Sequence, residues 1–472
     1  MSSMTPFKVR LHVMSPVHIG CDDVYEPTGF MVDKAAQKLI AFDPLDFVRS
    51  LNQADRKKFL ELCDKGTLES ILEIYKFMWH RTELPQGHAV EVSKGFLALF
   101  ERVATRLRPQ EAKQELNKFL ISRTSYLPAD NAPYVPGSAL KGALRTGWLN
   151  HLNKGKQQGR DLEIQLLGGR FAEDPFSQIK VSDLLPVGSP ATRICFAVNK
   201  KKKTSAHEPR GPQQILEVIR HDCAAVFEGI ITLHLPEQGS PIRNPVKNTP
   251  EFFAQAAGFF STEMTNEEVT LKGINLPAAI AVKMKAAFGD NYLKSVFPIR
   301  IGRHSGAECV TVDGARSIKI MGKQRDFTFG PHSTTLWLAG DAPKATSNLL
   351  PFGWVALELL ELDPAAPLWP ERIITERETV AAVVAAPTVK APPPPPELTV
   401  WNNAVLTWSP GNQALTVQHD GKKAEVKLAA DKTLVPEILH KKLFIKKDAV
   451  KAIVTVERQG NAWLIIKVEV AP

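Results

Sequence analysis

With 472 residues the chain is long enough for two to four domains and at least one substantial core. Its 59 Lys and Arg against 50 Asp and Glu leave a formal charge of +9, a balance that favours a polyanionic partner. Five scattered cysteines without a Cys-x-x-Cys pair argue against a zinc ribbon or a redox motif, and no apolar run is long enough to cross a bilayer. Free thiols and the lack of a secretory leader lead us to expect a reducing, cytoplasmic location.

Residues 7–13 alternate between apolar and polar and predict a strand. A polar, glycine-containing loop follows at 15–30, then a short strand at 38–42, and Pro44 sits at a plausible helix start. Residues 44–120 read as mostly helical. Phe47, Val48 and Leu51 share a face, as do Ile71, Ile74, Tyr75 and Met78, and then Phe96, Leu97, Phe100 and Val103. This block predicts a helical insertion in an α/β core.

The segment Tyr134-Val135-Pro136-Gly137-Ser138-Ala139-Leu140-Lys141-Gly142-Ala143-Leu144-Arg145-Thr146 is a loop turning into a helix. Pro136 and Gly137 make the turn, and Ser138 is placed as an N-cap. Leu140, Leu144 and Trp148 form one apolar stripe, while Lys141 and Arg145 share another face. A lysine in the first turn opposes the helix dipole, so stability alone does not explain it. Exposed amides with Lys141 and Arg145 make a phosphate site, against the competing reading of a capped helix with solvated charges.

Further strands are predicted at 178–183, 193–198 and 215–235, with helix at 250–294 and a last core strand at 350–362. Between 199 and 213 lies an exposed loop with Lys200, Lys201, Lys202 and Lys203. Residues 363–397 are rich in Pro and Ala and include the run Pro392 to Pro396, an extended spacer. Residues 398–472 alternate again, with turn signals at Ser409-Pro410-Gly411-Asn412, Asp420-Gly421 and Gln459-Gly460-Asn461. They predict a small antiparallel barrel or sandwich.

Three segments carry a resemblance: Ser15-Pro16-Val17-His18-Ile19-Gly20, the Pro136 to Thr146 helix start, and Arg300-Ile301-Gly302-Arg303-His304-Ser305-Gly306. With Val181-Ser182-Asp183 and Leu350-Pro351-Phe352-Gly353-Trp354-Val355, they resemble the RAMP superfamily of CRISPR RNA-binding proteins. Within it, the chain resembles fifth-subunit Csm proteins of type III-A effector complexes over about residues 5–360, in family order. The last quarter has no counterpart in that pattern.

The resemblance implies an α+β fold of tandem ferredoxin-like (RRM-like) modules with helical insertions, plus a small all-β C-terminal domain. The divisions are a core at 1–362 with its insertion at about 44–120, a linker at 363–397 and the β domain at 398–472. It places His18, Gly20, Gly137, Ser138, Lys141, Arg145, Arg300, Gly302, Arg303, His304 and Gly306 beside RNA. Tyr134 and Trp148 are candidate stacking groups, Trp148 being better placed for the core. The implied role is a non-catalytic subunit that caps the 3′ side of the guide (CRISPR) RNA in antiviral defence. It also contacts target RNA and docks on neighbouring RAMP backbone and small subunits. No cofactor, metal or membrane is implied.

The alternative is a RAMP endoribonuclease acting on guide precursor or target RNA. His18 would then be a general base, but no acid partner is fixed nearby, so a structural histidine is preferred. Asp22, Asp23 and Asp33 raise the same idea, and a solvated acidic turn is preferred for them. A protein-only assembly scaffold is the third reading.

Overall fold

The computed structural model describes residues 4–361 and 398–470 apart from 107–110, 112–118, 157–158, 160, 206–208, 210, 212, 222–224, 247–248, 323–325, 411–413, 429–433, 447 and 460–461. The spacer expected at 363–397 lies outside the described residues. The chain divides into two compact units, Met1–Thr375 and Glu376–Pro472. Among the described residues, no helix is long and apolar enough to cross a membrane.

The first sheet of the larger unit contains β1 (Met4–Val13), β2 (Ile179–Val181), β3 (Val226–His234), β4 (Val296–Arg300) and β5 (Trp354–Leu360). Their order is β4-β5-β1-β3-β2, with a short strand Leu185–Val187 also paired to β3. Alternation in β1 turns Val9, Leu11 and Val13 inward, as its sequence predicts. Two helices complete the circuit: α1 (Gly137–Asn153) between β1 and β2, and α2 (Glu251–Gly273) between β3 and β4. The path is strand, helix, two strands, helix, then the β4 and β5 pair. On α1 the buried stripe is Leu140, Leu144 and Trp148; α2 buries Phe252, Phe253, Ala256, Phe260 and Met264.

The two helices cross at Gly147, where a Cβ would stand 2.2 Å from the Ala256 carbonyl oxygen. Only a hydrogen fits there.

The second sheet follows another order. Its strands run Gly20–Tyr25, Ile121–Thr124, Gln214–Ile219, Thr192–Lys201, His88–Val92, Lys38–Ala41 and Phe30–Asp33, and Thr335–Gly340 also pairs with Thr192–Lys201. The block 44–120 is therefore more than a helical insertion. Its helices Pro44–Ser50, Gln53–Lys65, Leu68–Trp79 and Lys94–Arg106 are interrupted by the strand His88–Val92, which pairs in parallel with Thr192–Lys201. Val90 and Val92 alternate into the core there. Residues 107–118 lie largely outside the described residues.

The lysine run is also different from the expected loop. Lys200 and Lys201 end a strand, opposite Leu336 and Thr335. Lys202 Nζ donates to Glu308 Oε1 at 2.6 Å, since a buried carboxylate needs a nearby cation.

The second unit is a closed barrel of β6 (Leu398–Ser409), β7 (Ala414–His419), β8 (Lys422–Lys427), β9 (Val450–Gln459) and β10 (Ala462–Val470). Its order is β6-β7-β8-β10-β9, closed by β9 on β6, and β8 pairs with β10 in parallel. The Asp420-Gly421 turn has both residues at positive φ, 45° and 74°, as a two-residue hairpin requires. A bulge between Trp401 and Ala404 bends β6, with Asn403 at φ 56°. The unit is not wholly β. Helical residues Glu437–His440 and Lys441–Lys446 connect β8 to β9, and Leu439 and Leu443, four apart, join the barrel core.

The α1–α2 crossing yields a paired test. Gly147→Ala is expected to cost about 1–3 kcal/mol by overpacking. Gly142→Ala, with nothing within 4 Å of its Cβ, is expected to stabilise by about 0.5–1 kcal/mol through helix propensity. Urea unfolding measures both, and equal effects would contradict the close crossing.

Candidate nucleic-acid interface

The three motif segments meet along one line of hydrogen bonds. Arg303 N donates to His18 O at 2.8 Å, and Ser125 N donates to Ile19 O at 2.7 Å. Tyr134 N donates to Ser125 O at 3.2 Å, and Val135 and Leu184 exchange bonds of 3.1 and 2.8 Å. The line ends at α1, where Gly137 N donates to Asp183 Oδ1 at 2.8 Å. Gly302 makes the first of these contacts feasible. Its φ is 81°, and a Cβ would lie 2.4 Å from the His18 carbonyl oxygen.

The start of α1 corrects the expected cap. Ser138 is exposed and Pro136 precedes the helix, with no side-chain cap from that position. The carboxylate that suits the positive helix end comes from Asp183, 46 residues away. The cations of α1 are also engaged. Lys141 Nζ donates to Ile179 O at 2.8 Å, and burial lowers its pKa. Arg145 pairs with Asp174 at 2.6 Å and Glu163 at 3.1 Å, and lies 5.5 Å above the Phe176 ring. These side chains tie α1 to the chain that leads into β2. A salt-bridged guanidinium has fewer donors left for a phosphate, so Arg145 is set aside as an RNA contact.

The loop near residue 300 divides in the same way. Arg300 is buried, pairs with Glu267 at 2.8 Å and donates to the Phe352 carbonyl at 2.9 Å. These partners engage its guanidinium inside the protein, which corrects its expected role. Gly306, at φ 79°, lies half-buried beside the Arg300 guanidinium. His304 is half-buried, with Nε2 3.2 Å from Gln214 Oε1 and its ring against Trp337 and Phe352. Burial holds its pKa down at about 4, with Arg303 and His18 adding to the effect. Arg303 itself is exposed.

His18 is 0% exposed, with Nδ1 2.7 Å from the Glu217 carbonyl oxygen. Burial lowers its pKa. A ring sealed in this way acts as a strut, in line with the structural reading. Gly20 is exposed and opens the strand Gly20–Tyr25. Asp23 Oδ2 accepts from Tyr126 Oη at 2.6 Å, and Asp33 Oδ1 accepts from Ala36 N in a turn.

Along the same line stands a feature the sequence reading missed. The Arg123 guanidinium lies 3.4 Å above the Tyr126 ring and 4.6 Å from Tyr25. Tyr126 and Tyr134 are half-buried, while Trp148 belongs to the core. Only the closeness in sequence of Arg123 and Tyr126 at the end of a strand hinted at this stack, and many core aromatics share that pattern.

A family model of the RAMP superfamily matches residues 10–268, more than half of the chain. The chain belongs to the RAMP superfamily. Among curated proteins, this RAMP protein is similar to the CRISPR system Cms protein Csm5 of Methanocaldococcus jannaschii, 23% identical over 207 residues. The match covers 38% of this chain and 42% of that relative, so the chain spans less than half of the relative's length. Two solved structures are similar as well. A chain of a type III-A Csm–crRNA–target RNA ternary complex, seen by cryo-EM, is 18% identical with a TM-score of 0.49, covering 75% of this chain and 100% of its own. Crystalline T. onnurineus Csm5 is 16% identical with a TM-score of 0.44, covering 74% and 100%.

Buried His18 and half-buried His304 of this RAMP protein set a pH dependence. Both hold pKa values below the ordinary 6.5, so the unfolded chain takes up protons first as pH falls. The stabilisation from His304 is complete above 6.5 and is lost as pH falls towards about 4, and that from His18 is lost in the same direction. The melting temperature is expected to fall between about pH 7 and pH 5, and less so in His304→Asn, which tolerates the left-handed φ of 63°. A wild-type melting temperature constant over that range would contradict the assignment.

Proposed function

We propose that this chain is a non-catalytic, RNA-binding subunit of a type III CRISPR effector complex. The observation that carries the reading is the hydrogen-bonded line. It sets exposed Arg303, Gly20 and the helix start at Ser138 along one path with the Arg123–Tyr126 stack and Tyr134. A single RNA strand is held by backbone cations, close-approaching amides and stacking surfaces. The name of the Methanocaldococcus relative supports the CRISPR context. In this reading the first sheet is a ferredoxin-like module and the chain caps the 3′ side of the guide RNA. It contacts the guide–target duplex and docks on neighbouring backbone and small subunits.

Binding of a guide-like RNA across a salt series tests the reading. Arg303→Ala is expected to weaken binding and to reduce the log–log salt slope by about 0.7 for the lost phosphate contact. An unchanged affinity and slope in a folded Arg303→Ala protein would remove the carrying observation.

The purified chain is also expected to leave labelled RNA uncut. A general base must reach the proton it abstracts, and His18 is sealed by the Glu217 backbone and the surrounding core. Cutting that disappears in His18→Ala, in a protein that remains folded, would establish the endoribonuclease alternative.

A further inference from the structure

We propose a second binding site, for single-stranded nucleic acid, on the Glu376–Pro472 barrel, centred on Trp463 with Lys422 and Arg458. It goes beyond the function proposed above, because it uses none of the residues of the larger unit.

The topology gives the first argument. Five strands close in the order first, second, third, fifth, fourth, with β8 parallel to β10 and a helical segment between β8 and β9. A long, bulged first strand pairs with both β7 and β9. This is the arrangement of the oligonucleotide- and oligosaccharide-binding barrel, which takes ligands on its second and third strands and at the connections between strands one and two and between four and five. A fold alone assigns no ligand, so the site must carry the argument.

The side chains at the β9–β10 connection supply it. Arg458 and Trp463 are cross-strand partners on either side of that connection. Trp463 is half-buried, and its ring lies 5.7 Å from the buried ring of Trp401. Trp401 is stacked in turn on His419 at 5.8 Å. The indole of Trp463 is therefore braced from within. Lys422 Nζ and the Arg458 guanidinium, both on exposed residues, stand 5.7 and 5.9 Å from its centre. An indole with two cations close to its ring offers a base a stacking surface and the neighbouring phosphates a countercharge.

The surroundings favour this ligand over a protein surface. On the adjoining face of β7 and β8, Gln418 and Lys423 are exposed and paired across the strands, and Thr416 is half-buried. That face is polar rather than apolar. Residues 398–472 hold eleven Lys and Arg against seven Asp and Glu, so the unit is basic by itself. Of the nearby acids, Asp420 is paired with His419 at 3.5 Å and Glu425 with Lys423 at 3.3 Å. A duplex hides its base faces, so the ligand is a single strand.

The test uses the full chain carrying Arg303→Ala, so that the proposed first site is weakened in every sample. Uridine RNA and thymidine DNA oligonucleotides of about ten nucleotides, within the span of one such barrel, are titrated separately. Trp463→Ala is expected to lower affinity by about 5- to 150-fold, the range for losing one stacked base. Lys422→Ser with Arg458→Ser leaves the aromatic packing in place, and is expected to reduce the salt slope by about 1.4. Photo-crosslinks of the same oligonucleotides are expected on peptides that contain Trp463. A response with RNA, DNA or both supports the site and identifies the sugar it accepts. If neither variant changes either titration, or all crosslinks fall within Met1–Thr375, the proposal is overturned and the cluster is left as packing or a protein contact. The unmutated chain compared with Arg303→Ala separately reports failure of the first site.

Discussion

The backbone bond from Arg303 N to His18 O holds together two loops that start from different strands of the first sheet. The loop after β1 is gripped on its other side as well. Gly353 N donates to Pro16 O at 2.9 Å, and Trp354 N donates to Ser15 Oγ at 2.8 Å. His18 fills the space beneath, bonded to the Glu217 backbone of the second sheet. The loop is therefore a seam between two sheets, and its glycine contact leaves no room for a side chain at Gly302. Everything exposed along the seam inherits its position from this backbone network, which is the rigidity a binding edge needs.

Charge is spent twice in this protein. Basic residues beside the motifs mostly face inward acids: Arg145 meets Asp174 and Glu163, Arg300 meets Glu267, Arg316 meets Glu263, and Lys202 meets Glu308. Removing one partner of a well-buried pair costs about 3–5 kcal/mol, because the other charge is left desolvated. A loss of RNA binding on mutating Arg300 would thus report unfolding before recognition. In the proposed reading RNA meets the cations that remain at the surface, and Arg303 is a cation that the seam places there.

Much of the fold was legible because burial imposes a local period. The β1 alternation, the α1 stripe of Leu140, Leu144 and Trp148, and the Asp420-Gly421 hairpin all follow from neighbouring residues. What was not legible depends on partners distant in sequence. The strand His88–Val92 sits among helices and is defined by its antiparallel pairing with Lys38–Ala41 and its parallel pairing with Thr192–Lys201. The cap on α1 comes from Asp183, and the partners of Arg145 and Arg300 come from other elements. A motif shows that a lysine or arginine matters, while its direction is decided by acids that no spacing rule connects to it. The Arg123–Tyr126 stack escaped notice for the same reason, since only the fold shows that it stands beside the Asp23 carboxylate.

The central strand of the first sheet has a history as well as a position. β1 is made first, yet its two neighbours are β3 and β5, and the second of these comes near the end of the larger unit. During synthesis the edges of β1 have no native partner until most of the unit has been translated. Such long-range pairing slows folding and leaves the unpaired edges of an amphipathic strand open to other chains. Interrupted or overloaded translation would therefore expose the same template on every unfinished copy.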